Sequence, residues 1–306
     1  MVDTKDYKPF VKWVGGKTQL IKTIAKFLPK DFAELEDVTY VEPFVGGGAM
    51  LFWMLHNYQN ISRAVINDIN PVLTNAYSVV KEKPLLLIEF LLQIEELYFS
   101  LENEGERKNY FLLQREKFNH YSLDSVQQAG LFIFLNRTCF NGLYRVNKRG
   151  FFNVPFGKYS KPKICDTQTI LADSEALQKV EILTGDFSKT IDYATKETLF
   201  YFDPPYKPIS KTSSFTTYTK EDFDDLDQLR LGEFCKNISE LGHRFLLSNS
   251  DVKNVNPIDN FFDDLYKMFD IERVTASRMI NSNASNRGKI AEILVSNTQK
   301  NIYTYE

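Results

Sequence analysis

The sequence predicts an α/β fold with a mainly parallel sheet and a mainly helical insert. Short apolar runs, typical of buried strands, recur along the chain and are separated by segments of helical character. Between about residues 76 and 175 this alternation stops, and long helical patterns and a turn-rich stretch replace it. We therefore expect a core formed by residues 1–75 and 176–306 and an inserted domain of residues 76–175.

The core begins with two predicted strands. An apolar run ends at residues 40–44, a glycine cluster follows, and residues 49–55 are compatible with a helix. A second short strand at residues 64–68 ends in an acid, and a further helix is expected after Pro71. The later strands of the core are predicted at residues 180–183, 199–202, 244–247 and 290–295.

The insert is predicted from two helical patterns and one turn-rich stretch. Apolar residues are so dense after Pro84 that we expect one largely buried helix over residues 84–119, and a second helix follows at residues 125–136. Residues 140–163 alternate glycines, asparagines and aromatics, with Asn-Gly and Arg-Gly turn signals. They predict a β-hairpin or an exposed loop.

Composition excludes few functions. The chain has 306 residues, of which 43% are hydrophobic and 25% charged, as in an ordinary globular protein. Its net charge of -3 gives no global sign of a nucleic-acid partner, although a local basic surface on an acidic protein can still bind phosphates. Cys139, Cys165 and Cys235 are too far apart for a zinc site and predict reduced thiols, and nothing in the sequence suggests a metal.

The N-terminal residues lack the basic start and apolar run of a signal peptide. No uncharged stretch reaches the roughly 18 residues that a membrane span needs. We therefore expect a cytoplasmic protein with no membrane partner.

A glycine cluster after the first strand is typical of a nucleotide-like cofactor site. Phe44-Val45-Gly46-Gly47-Gly48 lets the backbone turn tightly and approach a ligand closely. Asp68 ends the next strand 22 residues after Gly46 (68 − 46) and can accept two ribose hydroxyls. The pattern does not choose among NAD, FAD and S-adenosylmethionine, and a plain turn with Asp68 as a helix cap is the structural alternative. Gly15-Gly16-Lys17-Thr18 is not a phosphate loop, because the required earlier glycine is Val11.

The tetrapeptide Asp203-Pro204-Pro205-Tyr206 follows an apolar run and is the most informative in the chain. The exocyclic amine of adenine is a poor nucleophile, since its lone pair is delocalised into the ring. The Asp203 carboxylate and the Pro204 carbonyl, on a backbone stiffened by proline, can accept the two amine hydrogens and localise that lone pair. Tyr206 can stack on an extruded base. A strand followed by a proline-rich turn is the structural alternative.

The turn-rich stretch is basic and aromatic. Between residues 137 and 163 there is no acidic residue, and arginine and lysine can neutralise phosphates or read guanine. Phe140 can fill the space left by a flipped base. A solvated charged face is the alternative. The seven basic residues are Arg137, Arg145, Lys148, Arg149, Lys158, Lys161 and Lys163.

Together these motifs resemble the Dam-like, α-group family of adenine-N6 DNA methyltransferases, from about residue 8 to 297. The cofactor motif, the recognition insert and the catalytic motif occur in that family's order. The matching segments are Lys12-Trp13-Val14-Gly15-Gly16-Lys17, residues 41–49, Asn67-Asp68-Ile69-Asn70, residues 140–147, residues 152–159, and Asp203-Pro204-Pro205-Tyr206.

The resemblance implies a Rossmann-like core that binds S-adenosylmethionine and an insert that recognises double-stranded DNA through its β-hairpin. It implies direct methyl transfer to the N6 amine of a flipped adenine, in GATC, with Lys12 and Arg145 reading base edges. The implied cofactor residues are Trp13, Lys17, Phe44, Gly46, Gly48, Asp68, Asp186, Phe187 and Asp203. The implied DNA-binding residues are Lys12, Phe140, Asn141, Arg145, Asn147, Lys148, Arg149, Lys158 and Tyr159.

Several alternatives stay open at this point. A longer site that contains GAT, or a DNA-binding relative without turnover, fits the same motifs. Cytosine-amine and protein glutamine methyltransferases usually carry Ser or Asn in place of Asp203, which argues against both. A cognate restriction endonuclease is a possible partner, and binding to DNA would bring the protein to the nucleoid. Residues 215–218 are a candidate loop over the base, and Arg287-Gly288-Lys289 a candidate contact with the DNA backbone.

Overall fold

Seven strands form a single sheet in the computed structural model, which describes residues 7–13, 15, 17, 20–206, 223–277 and 289–298. All six predicted strands are present. A seventh, at residues 270–277, was not predicted, because charged residues interrupt its apolar pattern. The strands are β1 (Val38–Glu42), β2 (Ile61–Asp68), β3 (Val180–Thr184), β4 (Thr198–Phe202), β5 (Arg244–Ser250), β6 (Asp270–Ser277) and β7 (Lys289–Ser296).

The sheet order is β3-β2-β1-β4-β5-β7-β6. The pairs among β1 to β5 are parallel, whereas β7 runs antiparallel to β5 and β6. This confirms the predicted α/β class and the Rossmann-like core. In a parallel sheet, the loops at the carboxyl ends of the strands meet at one edge, where ligands bind. β7 begins at that same edge because it runs in the opposite direction, and Glu292 lies beside Ser250 at the end of β5.

Helices cover both faces of the sheet. Alternate residues of each strand belong to two separate clusters of buried side chains, one on each face. The larger cluster joins side chains of the predicted core, such as Leu73, with side chains of the insert, such as Phe134. The helices are α1 (Ile21–Ile24), α2 (Ala49–Asn57), α3 (Pro71–Glu82), α4 (Pro84–Ser100), α5 (Glu104–His120), α6 (Ser125–Thr138), α7 (Thr167–Ala176), α8 (Asp225–Glu240) and α9 (Phe261–Leu265).

The expectation of one helix over residues 84–119 is wrong, because α4 and α5 are separate helices. Asn103 has an extended backbone, and its side chain accepts a hydrogen bond from the backbone N–H of Glu106. The Glu106 carboxylate accepts in return from the backbone N–H of Glu102. This reciprocal capping begins a new helix, so the chain cannot continue the first one.

The expectation that this segment is largely buried is also wrong for α4. Leu87 and Leu91 are fully buried against the neighbouring helices, but Leu85 is 70% exposed and Leu86 54% exposed. Leucines therefore lie on more of the surface of α4 than the neighbouring helices cover. The period of the apolar residues, rather than their density, decides which of them pack.

The turn-rich stretch folds back on itself without forming regular strands. Two isolated antiparallel bridges hold it, Cys139 with Phe156 and Val146 with Phe152. The side chain of Asn119, on α5, donates to the carbonyl of Phe152 at 3.0 Å and accepts from its N–H at 2.8 Å. The predicted hairpin is therefore present as two bridges that side-chain amides support. The domain boundaries at residues 75 and 175 stay a prediction.

The N-terminal segment is held to α7 through a buried acid. The Asp173 carboxylate is fully buried, accepts from the backbone N–H of Lys8 at 3.2 Å, and has a second oxygen without a hydrogen-bond partner. Burial raises the pKa of Asp173 to about 8. The folded protein therefore holds a proton there between about pH 4 and pH 8, whereas the unfolded chain does not.

We predict that Asp173→Asn stabilises the protein at pH 8 by on the order of 1–3 kcal/mol. A proton held only by the folded state makes the free energy of unfolding fall as pH rises through this window, and asparagine carries no such proton. Urea unfolding at pH 5, 6.5 and 8 measures the difference. Asp166→Asn at the N-cap of the same helix is the control, because its carboxylate is paired with Lys163 Nζ at 2.6 Å and its loss destabilises. An Asp173→Asn protein less stable than the wild type at pH 8 contradicts the prediction.

Candidate functional site

The glycine loop after β1 lies against the side chain of Trp13. Gly46 has a φ of 49° and Gly48 a φ of 73°, which favour glycine. A Cβ on Gly46 would lie 2.8 Å from Trp13 Cδ1, and a Cβ on Gly48 would collide with the Tyr77 hydroxyl. The glycines therefore leave room for Trp13 and Tyr77 to pack against the loop at the edge of the sheet.

Asp68 and Asn70 line the same loop. The Asp68 carboxylate accepts from the backbone N–H groups of Gly46 at 3.1 Å and Asn70 at 2.9 Å. Burial raises the pKa of Asp68 to about 6. The Asn70 side-chain oxygen caps α3 through the N–H of Val72. A carboxylate beside the glycine loop fits the hydroxyl groups of a nucleoside cofactor.

An aromatic wall continues the site toward β3. The rings of Phe44 and Phe187 lie 5.3 Å apart, and the Arg230 guanidinium lies 5.2 Å from the centre of the Phe187 ring. Arg230 also pairs with the Asp186 carboxylate at 2.9 Å. Burial raises the pKa of Asp186, but hydrogen bonds from Ser188 and Arg230 outweigh this and lower it. The cofactor roles of Asp186 and Phe187 stay predictions.

The predicted catalytic turn, Asp203-Pro204-Pro205-Tyr206, follows the end of β4. The Asp203 carboxylate is partly buried, 3.5 Å from the Ser248 hydroxyl and 3.5 Å from Lys17 Nζ. Burial raises the pKa of Asp203 to about 6, Lys17 lowers it, and the nearby Glu292 raises it again. The carbonyl of Pro205 accepts from the side chain of Gln228 at 3.1 Å, so a hydrogen bond from α8 fixes the turn.

Glu292, on β7, completes this cluster and was not predicted from the sequence. The buried Lys17 Nζ donates to Glu292 Oε2 and to the Tyr206 hydroxyl, each at 2.5 Å, and that hydroxyl donates to Glu292 Oε1 at 3.3 Å. Burial lowers the pKa of Lys17, but Asp203, Tyr206 and Glu292 outweigh this and raise it. The available signal was one acid inside the apolar run Ile290-Ala291-Glu292-Ile293-Leu294.

Several of the predicted DNA-binding residues lie together. Lys12 Nζ is 4.5 Å from the centre of the Tyr159 ring, and the Tyr159 hydroxyl accepts from the backbone N–H of Asn141 at 3.0 Å. Phe140, next to Asn141, is 50% exposed although it is a large apolar side chain. We call residues 140–144 the recognition turn, and Lys12 and Tyr159 lie against it.

The other predicted DNA-binding residues lie farther along the stretch. Arg145 donates through Nε to the Asn153 side chain at 2.8 Å and through Nη2 to the Asn153 carbonyl at 3.4 Å. The Asn147 side chain accepts from the N–H of Arg149 at 2.9 Å and so shapes a tight turn. Lys148 and Arg149 are exposed at that turn, and Lys158 Nζ pairs with Glu104 of α5 at 2.9 Å.

Some predicted features lie outside the described residues. They are Gly16 and Thr18, the candidate loop at residues 215–218, and Arg287 and Gly288. Within the described residues, no helix is long and apolar enough to cross a membrane. The same residues contain no group of three or more His, Cys, Asp or Glu side chains able to hold a metal. The three cysteines are buried free thiols, as predicted.

A family model described as D12 class N6 adenine-specific DNA methyltransferase matches residues 13–280. The chain belongs to this family. The match includes the glycine loop, the insert and the catalytic turn, and the enzyme is an adenine-specific DNA methyltransferase. Methyltransferases of this kind use S-adenosylmethionine in general.

Named relatives agree with this assignment. The methyltransferase is 46% identical to the type II methyltransferase M.MjaIII of Methanocaldococcus jannaschii over 95% of its own length and 99% of the relative. It is 39% identical to the type II methyltransferase M1.LlaDCHI of Lactococcus lactis subsp. cremoris, over 95% of each chain. It is 34% identical to a DNA adenine methylase of Vibrio cholerae, over 95% of its own length and 96% of the relative.

We predict that Glu292→Gln moves the acid limb of the pH–rate profile for methyl transfer to lower pH, by roughly half a unit to one unit. With an Asp203 pKa of about 6, activity that needs the carboxylate falls as pH drops through 6. The charge of Glu292 raises that pKa, so its removal lowers it. Profiles of kcat/KM from pH 5 to 8 measure the shift. Glu181→Gln is the control, because its carboxylate pairs with Arg63 on β2. A limb that stays in place, or moves to higher pH, contradicts the prediction.

Proposed function

We propose that this methyltransferase transfers a methyl group from S-adenosylmethionine directly to the N6 amine of an adenine flipped out of duplex DNA, with GATC as its target. The observation that supports this most strongly is the position of Asp203. Its carboxylate ends β4 at the sheet edge that carries the glycine loop, and it lies 3.5 Å from the buried Lys17 ammonium.

Trp13, Gly46, Gly48 and Asp68 would hold the cofactor, with Phe44, Asp186 and Phe187 beside its adenine. When bound, S-adenosylmethionine supplies a methyl group already activated by a positively charged sulfonium. The enzyme then has to position two groups and stabilise charge, and it needs no nucleophile of its own. The glycine loop and the Asp68 carboxylate support this assignment.

The catalytic turn would activate the amine. Asp203 and the carbonyl of Pro204 accept its two hydrogens, which localises the lone pair on nitrogen. The amine must lose a proton when its nitrogen gains a methyl group, and a carboxylate of Asp203 with a pKa of about 6 can accept that proton near neutral pH. Tyr206 stacks on the base, and its hydroxyl is fixed by Lys17 and Glu292.

The insert, residues 76–175, would recognise the DNA. Arginine reads guanine through two hydrogen bonds, and Arg145 already has its guanidinium oriented by Asn153. Lys12 lies against the recognition turn, beside Tyr159. Exposed Phe140 is placed to fill the gap that a flipped adenine leaves. The remaining proposed contacts to DNA are Asn141, Asn147, Lys148, Arg149, Lys158 and Tyr159.

The GATC assignment rests on the resemblance of the recognition motifs to the Dam-like family, and a longer site containing GAT is the second candidate. Two relatives carry type II methyltransferase names, which favours a cognate restriction endonuclease as a partner of this enzyme.

We expect the purified protein to transfer label from S-adenosylmethionine to a duplex that contains GATC and not to one in which the site is scrambled. Asp203→Ala should lower transfer by at least about 100-fold, because it removes a group that stabilises the transition state. A filter-binding assay measures both. Thermal unfolding of the variant provides the control for folding. Label on neither duplex would overturn the GATC assignment, and full activity in Asp203→Ala would overturn the catalytic one.

We expect base flipping to be visible with 2-aminopurine in place of the target adenine. Its fluorescence rises when it leaves the base stack, so binding should increase the emission. Phe140→Ala should reduce the increase several-fold, because nothing then fills the gap, while Phe118→Ala should not, since Phe118 packs on Phe152 inside the insert. Steady-state titration with the duplex measures it. No increase for the wild type would contradict flipping, and an unchanged increase in Phe140→Ala would contradict the role of Phe140.

A further inference from the structure

We propose that Asn136 is a positioning residue that couples cofactor binding to recognition of the DNA site. This inference rests on the proposed function, because it takes the glycine loop as the cofactor site and the recognition turn as the DNA site. Asn136 touches neither ligand in this proposal. It acts through the backbone of the N-terminal segment, residues 10–13, which lies between the two sites.

The side-chain oxygen and both amide hydrogens of Asn136 bind main chain of two separate segments. Its oxygen accepts from the N–H of Lys12 at 2.8 Å. Its nitrogen donates to the carbonyl of Lys12 at 2.8 Å and to the carbonyl of Gly142 at 2.9 Å. The side chain is fully buried near the end of α6. One amide therefore holds the N-terminal segment and the recognition turn in a fixed relation.

The two side chains of that segment face different sites. Lys12 packs on the recognition turn, since a Cβ on Gly142 would lie 2.5 Å from Lys12 Cβ. Trp13 packs on the glycine loop, since a Cβ on Gly46 would lie 2.8 Å from Trp13 Cδ1. The Trp13 ring also stacks on Tyr144, with ring centres 5.8 Å apart and planes at 20°.

A ligand that fixes the position of Trp13 therefore also fixes the positions of Lys12 and the recognition turn. The segment is held in addition by Arg137, which donates to the carbonyl of Phe10 at 2.7 Å. Breaking the Asn136 hydrogen bonds would leave the N–H and carbonyl of Lys12 and the carbonyl of Gly142 without these partners, which costs free energy. The segment and the turn therefore move together. Two sites joined in this way influence each other's affinity, and the influence is reciprocal.

Asn119 provides a matched control. It is a half-buried asparagine of the insert. Its side chain binds both the N–H and the carbonyl of Phe152 in the turn-rich stretch. Within the described residues, the Asn119 side chain hydrogen-bonds Phe152 and not the N-terminal segment. Loss of Asn119 should weaken the fold of the stretch, and with it DNA binding, without changing how strongly the cofactor site affects the DNA site.

The test measures the dissociation constants of sinefungin and of a GATC duplex, each alone and with the other at saturation. In the wild type each ligand should tighten the other by the same factor, at least about fivefold. In Asn136→Ala and in the smaller polar change Asn136→Ser, both ligands should still bind alone, but the factor should fall to about one. In Asn119→Ala the duplex should bind more weakly while the factor stays at the wild-type value.

Three results would overturn the inference: no coupling in the wild type, full coupling in both Asn136 variants, or equal loss of coupling in Asn119→Ala. If both Asn136 variants unfold while Asn119→Ala folds, Asn136 has a purely structural role and the inference also fails. A wild type that binds neither sinefungin nor the duplex is a different result, since it refutes the proposed function itself.

Discussion

The buried ammonium of Lys17 is the constraint on which the site depends. A buried charge is costly unless it is paired and hydrogen-bonded, and Lys17 is paired with Asp203 and Glu292 and hydrogen-bonded to Tyr206. The two carboxylates come from β4 and β7, with β5 between them. The ion cluster can form only if β7 lies antiparallel beside β5 and the N-terminal segment crosses the carboxyl edge of the sheet.

The features that follow from local sequence could be predicted. The glycine loop, Asp68 and Asp203 each follow a short apolar strand, and the parallel arrangement brings strand ends to one edge. The features that depend on distant pairs could not. Glu292 is 275 residues from Lys17, and Asn136 is 124 residues from Lys12. In α4 the density of leucines predicted burial wrongly, because only neighbours in the fold decide which face of a helix is covered.

The turn-rich stretch, residues 140–163, is shaped without a regular sheet. Asparagine side chains supplement the few main-chain hydrogen bonds between its two arms, such as those from Asn153 to Arg145 and from Asn147 to Phe151. Asn119 clamps Phe152, Asn136 clamps Gly142, and Asn147 closes the turn before Phe151. Since amides carry no charge, they fix the main chain while arginine and lysine side chains extend outward. In the sequence, Asn119 and Asn136 end predicted helices and Asn147 lies beside a turn, and nothing there shows that their side chains bind main chain.

The distance along the chain between Lys17 and Glu292 has a consequence for synthesis. The ribosome makes Lys17 long before Glu292, which lies 275 residues later in the chain, beyond β1 to β5. The strands β1 to β5 can pair earlier, but the Lys17 ammonium cannot be fully neutralised in the interior until β7 inserts beside β5. The order of synthesis thus leaves the ion cluster incomplete until β7 is made, and termination before β7 yields a chain that lacks the Glu292 carboxylate.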